Sequence, residues 1–103
     1  MGILPKMQYM KATQILKLNE TRRDGVKIEV VIWQLPSPSV DRPHGIKYRL
    51  WAGRDGKTWV RYDNEAGKGD HKHVGVGEHE VAYRFITVEQ LIQDFLADIE
   101  KGG

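Results

Sequence analysis

From Tyr62 to His73 the chain reads Tyr-Asp-Asn-Glu-Ala-Gly-Lys-Gly-Asp-His-Lys-His, the densest run of chemically capable side chains in the sequence. His71 and His73 stand two residues apart, so in an extended segment both imidazoles fall on one side. Two imidazoles beside a cation are what metal-free RNA cleavage requires. One takes the proton of a 2′-OH, the other protonates the leaving 5′ oxygen, and Lys68 stabilises the charged phosphorane. An imidazole's ordinary pKa of about 6.5 makes either form accessible near neutrality. Gly67 and Gly69 flank Lys68, which lets the backbone approach a ligand closely and present its N–H groups. A solvated glycine-rich turn with exposed histidines accounts for the same letters and is the competing account.

Metal chemistry is the other alternative. His71 and His73 with His79 and Glu78 or Glu80 offer enough nitrogen and oxygen ligands for zinc, and Asp63, Glu65 and Asp70 could hold Mg²⁺. No compact zinc motif such as HExxH occurs, so neither metal nor cofactor is expected. The phosphate loop GxxxxGK[ST] and the nucleophile elbow GxSxG are absent, and the chain has no cysteine. These absences exclude thiol catalysis and a disulfide framework, and leave acyl transfer without support.

The elements that must position these residues follow from periodicity. Val26, Ile28, Val30 and Ile32 alternate with Lys27 and Glu29 in a strand over Gly25–Leu35, and Thr13–Leu18 reads as its antiparallel partner. Pro36, Pro38 and Pro43 mark a loop. Ile46, Tyr48 and Leu50, then Thr58, Val60 and Tyr62, form a hairpin around Gly53-Arg54-Asp55-Gly56. In that register Lys47, Arg49, Trp51, Trp59 and Arg61 project from one face, mixing cations with indoles suited to stacking bases and holding phosphates. The same tryptophans could serve as core. Residues 63–77 carry no apolar period and read mostly as loop. Val81–Ile86 reads as a short last strand. Val88, Leu91, Ile92, Phe95, Leu96 and Ile99 form the stripe of an amphipathic helix, opened by Thr87 and Gln90 as a capping box and ended by Gly102. The expected class is α+β: a single domain over 1–103, with an antiparallel sheet of four to five strands and the C-terminal helix packed on one face. Residues 1–10 are expected to form a flexible N-terminal segment.

Length and charge agree with this. The chain has 103 residues, 40% of them hydrophobic and 29% charged, which suits one small core. The net charge is only +2, but basic groups outnumber acidic ones nine to six over residues 42–84, the stretch that also holds all four histidines. That bias favours an anionic partner. No apolar run reaches the roughly 18 residues of a membrane span, so a cytoplasmic protein without membrane contact is expected.

Val31-Ile32-Trp33-Gln34-Leu35-Pro36, Lys47-Tyr48-Arg49-Leu50 with Gly53-Arg54, the 62–73 run, Tyr83-Arg84-Phe85 and Leu91-Ile92-Gln93-Asp94-Phe95 occur in this order. Together they resemble the TumE toxin family over about Lys11–Ile99. The resemblance implies a growth-inhibiting toxin of a prokaryotic toxin–antitoxin pair, bound by a cognate antitoxin from a neighbouring gene, with homodimerisation left open. Combined with the histidine loop, it points to RNA as target and to a metal-independent endoribonuclease. His71 and His73 are then the acid/base pair and Lys68 the cation, while Arg49, Arg61, Arg84, Tyr62 and Trp59 hold the substrate. The runner-up is a non-enzymatic nucleic-acid-binding or protein-interaction module.

Overall fold

Apolar residues at every second position bury one side of a sheet and leave the other side open. A computed structural model describes residues 11–65 and 67–102; the segment 1–10 expected to be flexible lies outside them. The elements are β1 (Thr13–Thr21), β2 (Lys27–Gln34), β3 (Ile46–Arg54), β4 (Lys57–Asp63), β5 (His71–Val74), β6 (His79–Ala82) and α1 (Val88–Glu100). The strands form one antiparallel meander in chain order. Directly opposed residues of an antiparallel pair share a face, so the register assigns every side chain to a side. Val30, Leu50 and Tyr62 lie in one row, as do Ile28, Ala52 and Val60. That face carries the core with Leu91, Phe95 and Ile99 of α1 pressed onto it. Phe95 meets the Tyr62 ring edge-on, with centroids 5.9 Å apart.

The β3–β4 hairpin turns where Asp-Gly predicts. Asp55 and Gly56 both have positive φ, 54° and 74°, the primed geometry that matches strand twist. Thr87 caps α1 by accepting from the Gln90 N–H at 3.0 Å. Only half of a capping box forms, because the Gln90 side chain bonds Asp94 instead.

Three expectations need correction. The sheet has six strands rather than four to five, because the stretch read as loop contains β5. That strand lacks an apolar period since its buried positions are His71 and His73. The last strand is His79–Ala82 rather than Val81–Ile86. Beyond it Tyr83 and Phe85 leave the ladder to pack on the core: Tyr83 lies edge-on to Tyr62 at 4.9 Å and Phe85 lies 4.0 Å from the His44 ring. Of the helix stripe, Leu91 and Phe95 are buried and Ile92 half-buried, but Leu96 is 48% exposed.

Phe95→Ala should therefore destabilise the fold by about 3–5 kcal/mol, and Leu96→Ala by no more than about 0.5 kcal/mol. Denaturant melts of both variants check this, and equal losses would contradict the helix orientation.

Candidate functional site

The imidazole pair sits on the open face because β5 pairs with β4 in a single register. His71 opposes Asp63 and His73 opposes Arg61, one strand away from Arg49 and Trp51, which oppose Asp63 and Arg61 on β3. The rings of His71 and His73 stand nearly perpendicular with centroids 5.1 Å apart. Both residues are more than nine-tenths buried, as is Asp63.

Hydrogen-bond partners distinguish the two rings. His71 Nδ1 faces the carbonyl oxygen of Gly69 at 3.0 Å, and its Nε2 faces Asp63 Oδ1 at 2.8 Å. Both neighbours are oxygens, so a carboxylate at Asp63 requires protons on both ring nitrogens. His73 differs. Its Nδ1 accepts from Arg61 Nη2 at 2.9 Å, and its Nε2 donates to Glu80 Oε1 at 3.1 Å. One donor and one acceptor define the neutral ring, assigned from partner chemistry. Arg61 also approaches Asp63 Oδ2 through Nε at 3.4 Å and Glu78 Oε1 through Nη2 at 3.6 Å. The buried Nε is thus in ion-pair range of a carboxylate, although it makes no hydrogen bond among the described residues.

A second polar group holds the connecting loop. Asn64, with no exposed surface, accepts from the Tyr48 N–H at 3.1 Å and donates to Ile46 O at 2.8 Å. Asp70 accepts from Tyr48 Oη at 2.7 Å, from Asn64 Nδ2 at 3.2 Å and from His44 Nε2 at 3.1 Å. The His44 tautomer follows from its Nδ1, which accepts the Ile46 N–H at 3.1 Å. Asn64 and His44 carry no expected role from the sequence. Asn64 shows in the sequence only as a polar residue two positions after Tyr62 in the Thr58, Val60, Tyr62 alternation.

The residues expected to bind substrate divide. Arg49, Arg61, Trp51 and Lys47 share the open face through their register. Trp59 does not follow them. A bulge between Ala52 and Gly53 leaves it without a partner in the ladder, and it packs on the core with the Arg54 guanidinium 5.2 Å over its ring. Tyr62 lies on the helix side, fully buried, with its hydroxyl donating to Asp98 Oδ2 at 2.5 Å; it ties sheet to helix and has no surface to offer a substrate. Lys68 is exposed on a turn closed by its N–H on Glu65 O, and its ammonium makes no hydrogen bond or ion pair among the described residues. It stands outside the histidine cluster. Arg84 is exposed in the link to α1.

Asp63, His71 and His73 each offer one ligand atom, all within 4.8 Å of one another. Of the other expected ligands, Glu80 bonds His73 at the edge of this group, whereas Glu78 pairs with Arg61 and His79 sits opposite Val74. Arg61 already places a cation against both His73 and Asp63, so a metal there would have to displace it or face its charge.

The structure thus defines a small α+β protein whose open sheet face carries cations and an indole beside a buried histidine pair. A family profile described as Toxin TumE matches residues 7–102; the chain belongs to the TumE toxin family, and the family implies a cognate antitoxin. No curated protein matches the chain, and no solved structure does. Among the described residues no helix is long and apolar enough to cross a membrane.

Three tyrosine hydroxyls donate to carboxylates: Tyr48 to Asp70, Tyr62 to Asp98 and Tyr83 to Asp94. Burial, reinforced by these bonds, raises all three phenols above their ordinary value of 10.0. The folded state holds the protons more tightly than the unfolded chain. Stability is therefore full below about pH 10 and falls as pH rises beyond it. In an alkaline titration the phenolate absorbance of these three residues should appear together with loss of circular dichroism. Ionisation of all the tyrosines while the fold persists would contradict the three bonds.

Proposed function

We propose that this toxin acts on RNA and cleaves it without a metal ion, using the imidazole pair of β5. The observation that carries the reading is the difference between the two rings: His71 faces two oxygen acceptors, whereas His73 is held neutral. Environments that set neighbouring titratable groups to opposite protonation states assign acid and base.

In this scheme a phosphate reaches Arg61, whose guanidinium stands between His73 and the Asp63 and Glu78 carboxylates and supplies the charge-assisted donors that a phosphate takes. Once the guanidinium turns to the phosphate, His73 Nδ1 is free to take the proton of the 2′-OH. The 2′ oxygen attacks phosphorus, the bond to the 5′ oxygen breaks, and His71 gives its proton to that oxygen. The products are a 2′,3′-cyclic phosphate and a 5′-hydroxyl end. Arg49, opposite Asp63, steadies the charge beside Arg61. Lys68 and Arg84 contact the backbone at the rim.

Cleavage should persist in EDTA and show a bell-shaped pH dependence, because one imidazole must be protonated and the other not. A 2′-deoxy substitution at the cut position should abolish it, and Arg61→Ala should lower the rate by roughly two orders of magnitude. Loss of activity in EDTA with recovery on added Zn²⁺ or Mn²⁺ would transfer the Asp63–His71–His73 group to a metal mechanism.

A second reading has its own observation: His71 is only 5% exposed and His73 only 8%, as suits residues that hold a strand in place. In that reading the toxin binds RNA or protein without cutting. Growth arrest by a folded His71→Ala/His73→Ala variant, with cellular RNA intact, would select it.

A further inference from the structure

Trp51 is built into the open face in a way that a core tryptophan does not need. Its indole N–H donates to Thr58 Oγ1 at 3.0 Å across the β3–β4 pair. Its six-membered ring lies over the α-carbon of Gly53: a Cβ there would stand 2.2 Å from the Lys57 carbonyl oxygen and 2.7 Å and 2.9 Å from Trp51 Cζ2 and Cη2. Glycine is thus required there by the β4 backbone and by the ring together. The ring is held from beneath and at its edge, yet it remains half-buried rather than covered. It lines a hollow of about 480 Å³ with Lys27, Arg49 and Arg54 around it and Glu29 opposite. An aromatic plane with cations beside it, Lys27 and Arg49 of them facing Glu29 at 3.7 and 3.9 Å, is an arrangement on which an unpaired base stacks while its phosphates are held.

The position relative to the histidines adds to this. Trp51 opposes Arg61 across β3–β4, where side chains of a pair sit about 5 Å apart, and Arg61 touches His73 at 2.9 Å. A base on Trp51 therefore belongs to the nucleotide next to a phosphate at Arg61. We propose that Trp51 is a stacking site for one unpaired nucleobase, which makes the toxin selective for single-stranded RNA and sets the base beside the reacting phosphate. This rests on RNA being the target, but not on the nuclease step. A base inside a duplex is stacked on its neighbours and cannot reach the indole.

The test uses the full chain and a 2′-O-methyl oligonucleotide, which binds but cannot be cut by its own 2′ oxygen. Single strands should quench indole fluorescence and bind at least tenfold more tightly than the matching duplex. Trp51→Leu should weaken single-strand binding by about 10- to 100-fold and leave the weak duplex binding unchanged, while Trp51→Phe should recover part of the loss. Thr58→Val, which removes only the bond that steadies the ring, covers the case in which Trp51→Leu fails to fold; it should weaken binding several-fold. Equal binding of duplex and single strand, or no weakening in the variants that fold, overturns the proposal. Trp51-dependent binding without any cleavage of ordinary RNA would support it and reject the nuclease step, whereas cleavage indifferent to Trp51 would do the reverse.

Discussion

The carboxamide of Asn64 takes the place of a strand residue. β4 stops pairing with β3 after Asp63 and Arg49, yet the Tyr48 N–H and the Ile46 carbonyl beyond that point still require partners in a buried setting. Asn64 supplies both from one side chain, where an apolar residue would leave a donor and an acceptor unpaired at about 1–3 kcal/mol each. Because the side chain carries the ladder, the backbone is free to leave the sheet, make the 65–70 turn and return as β5. Asp70 closes that excursion with three donors around one carboxylate. The register of β5, and with it the pairing of His71 with Asp63 and His73 with Arg61, follows from where this loop is released and where it is caught.

The two faces of the sheet then carry separate duties. The helix side is closed by packing of Leu91, Phe95 and Ile99 and by tyrosine–carboxylate bonds that join sheet and link to α1. Lys72 belongs to this side too: it opposes Tyr62 and pairs with Asp98 at 3.0 Å. The alternation of β5 therefore sends histidine one way and lysine the other. Four consecutive residues contribute to both the fold and the candidate site without sharing a contact.

What could be read from the sequence was what periodicity encodes. The apolar alternation of β2 and the Asp-Gly hairpin rest on local rules and stand where those rules put them; the helix stripe does so at Leu91 and Phe95 but not at the exposed Leu96. β5 escaped because its buried positions are imidazoles, which become covered only once Asp63, Arg61 and Glu80 are beside them. The placement of Lys47, Arg49, Trp51 and Arg61 on one face was also legible, since it needs only the hairpin register. Trp59 was not, because a bulge changes which way a side chain points and leaves no mark in the alternation. Lys68 stood out by its glycines, yet the cation at the histidines is Arg61, which only strand pairing brings there.

Arg61 has to be held and yet be releasable if it is to meet a phosphate, and the strengths of its contacts decide whether both are possible. Glu78 is 42% exposed at its side chain, and such an ion pair contributes about 0–1 kcal/mol. That carboxylate can swing into solvent at little cost as a polyanion approaches. Asp63 is only 12% exposed and is retained by His71, so it stays and continues to orient both cations. The contact given up in the exchange is the Arg61–His73 hydrogen bond, of order 1.5–3 kcal/mol for a charged donor. In the proposed scheme a phosphate provides a bidentate, charge-assisted replacement for that bond, and the same movement that binds it uncovers the lone pair of His73.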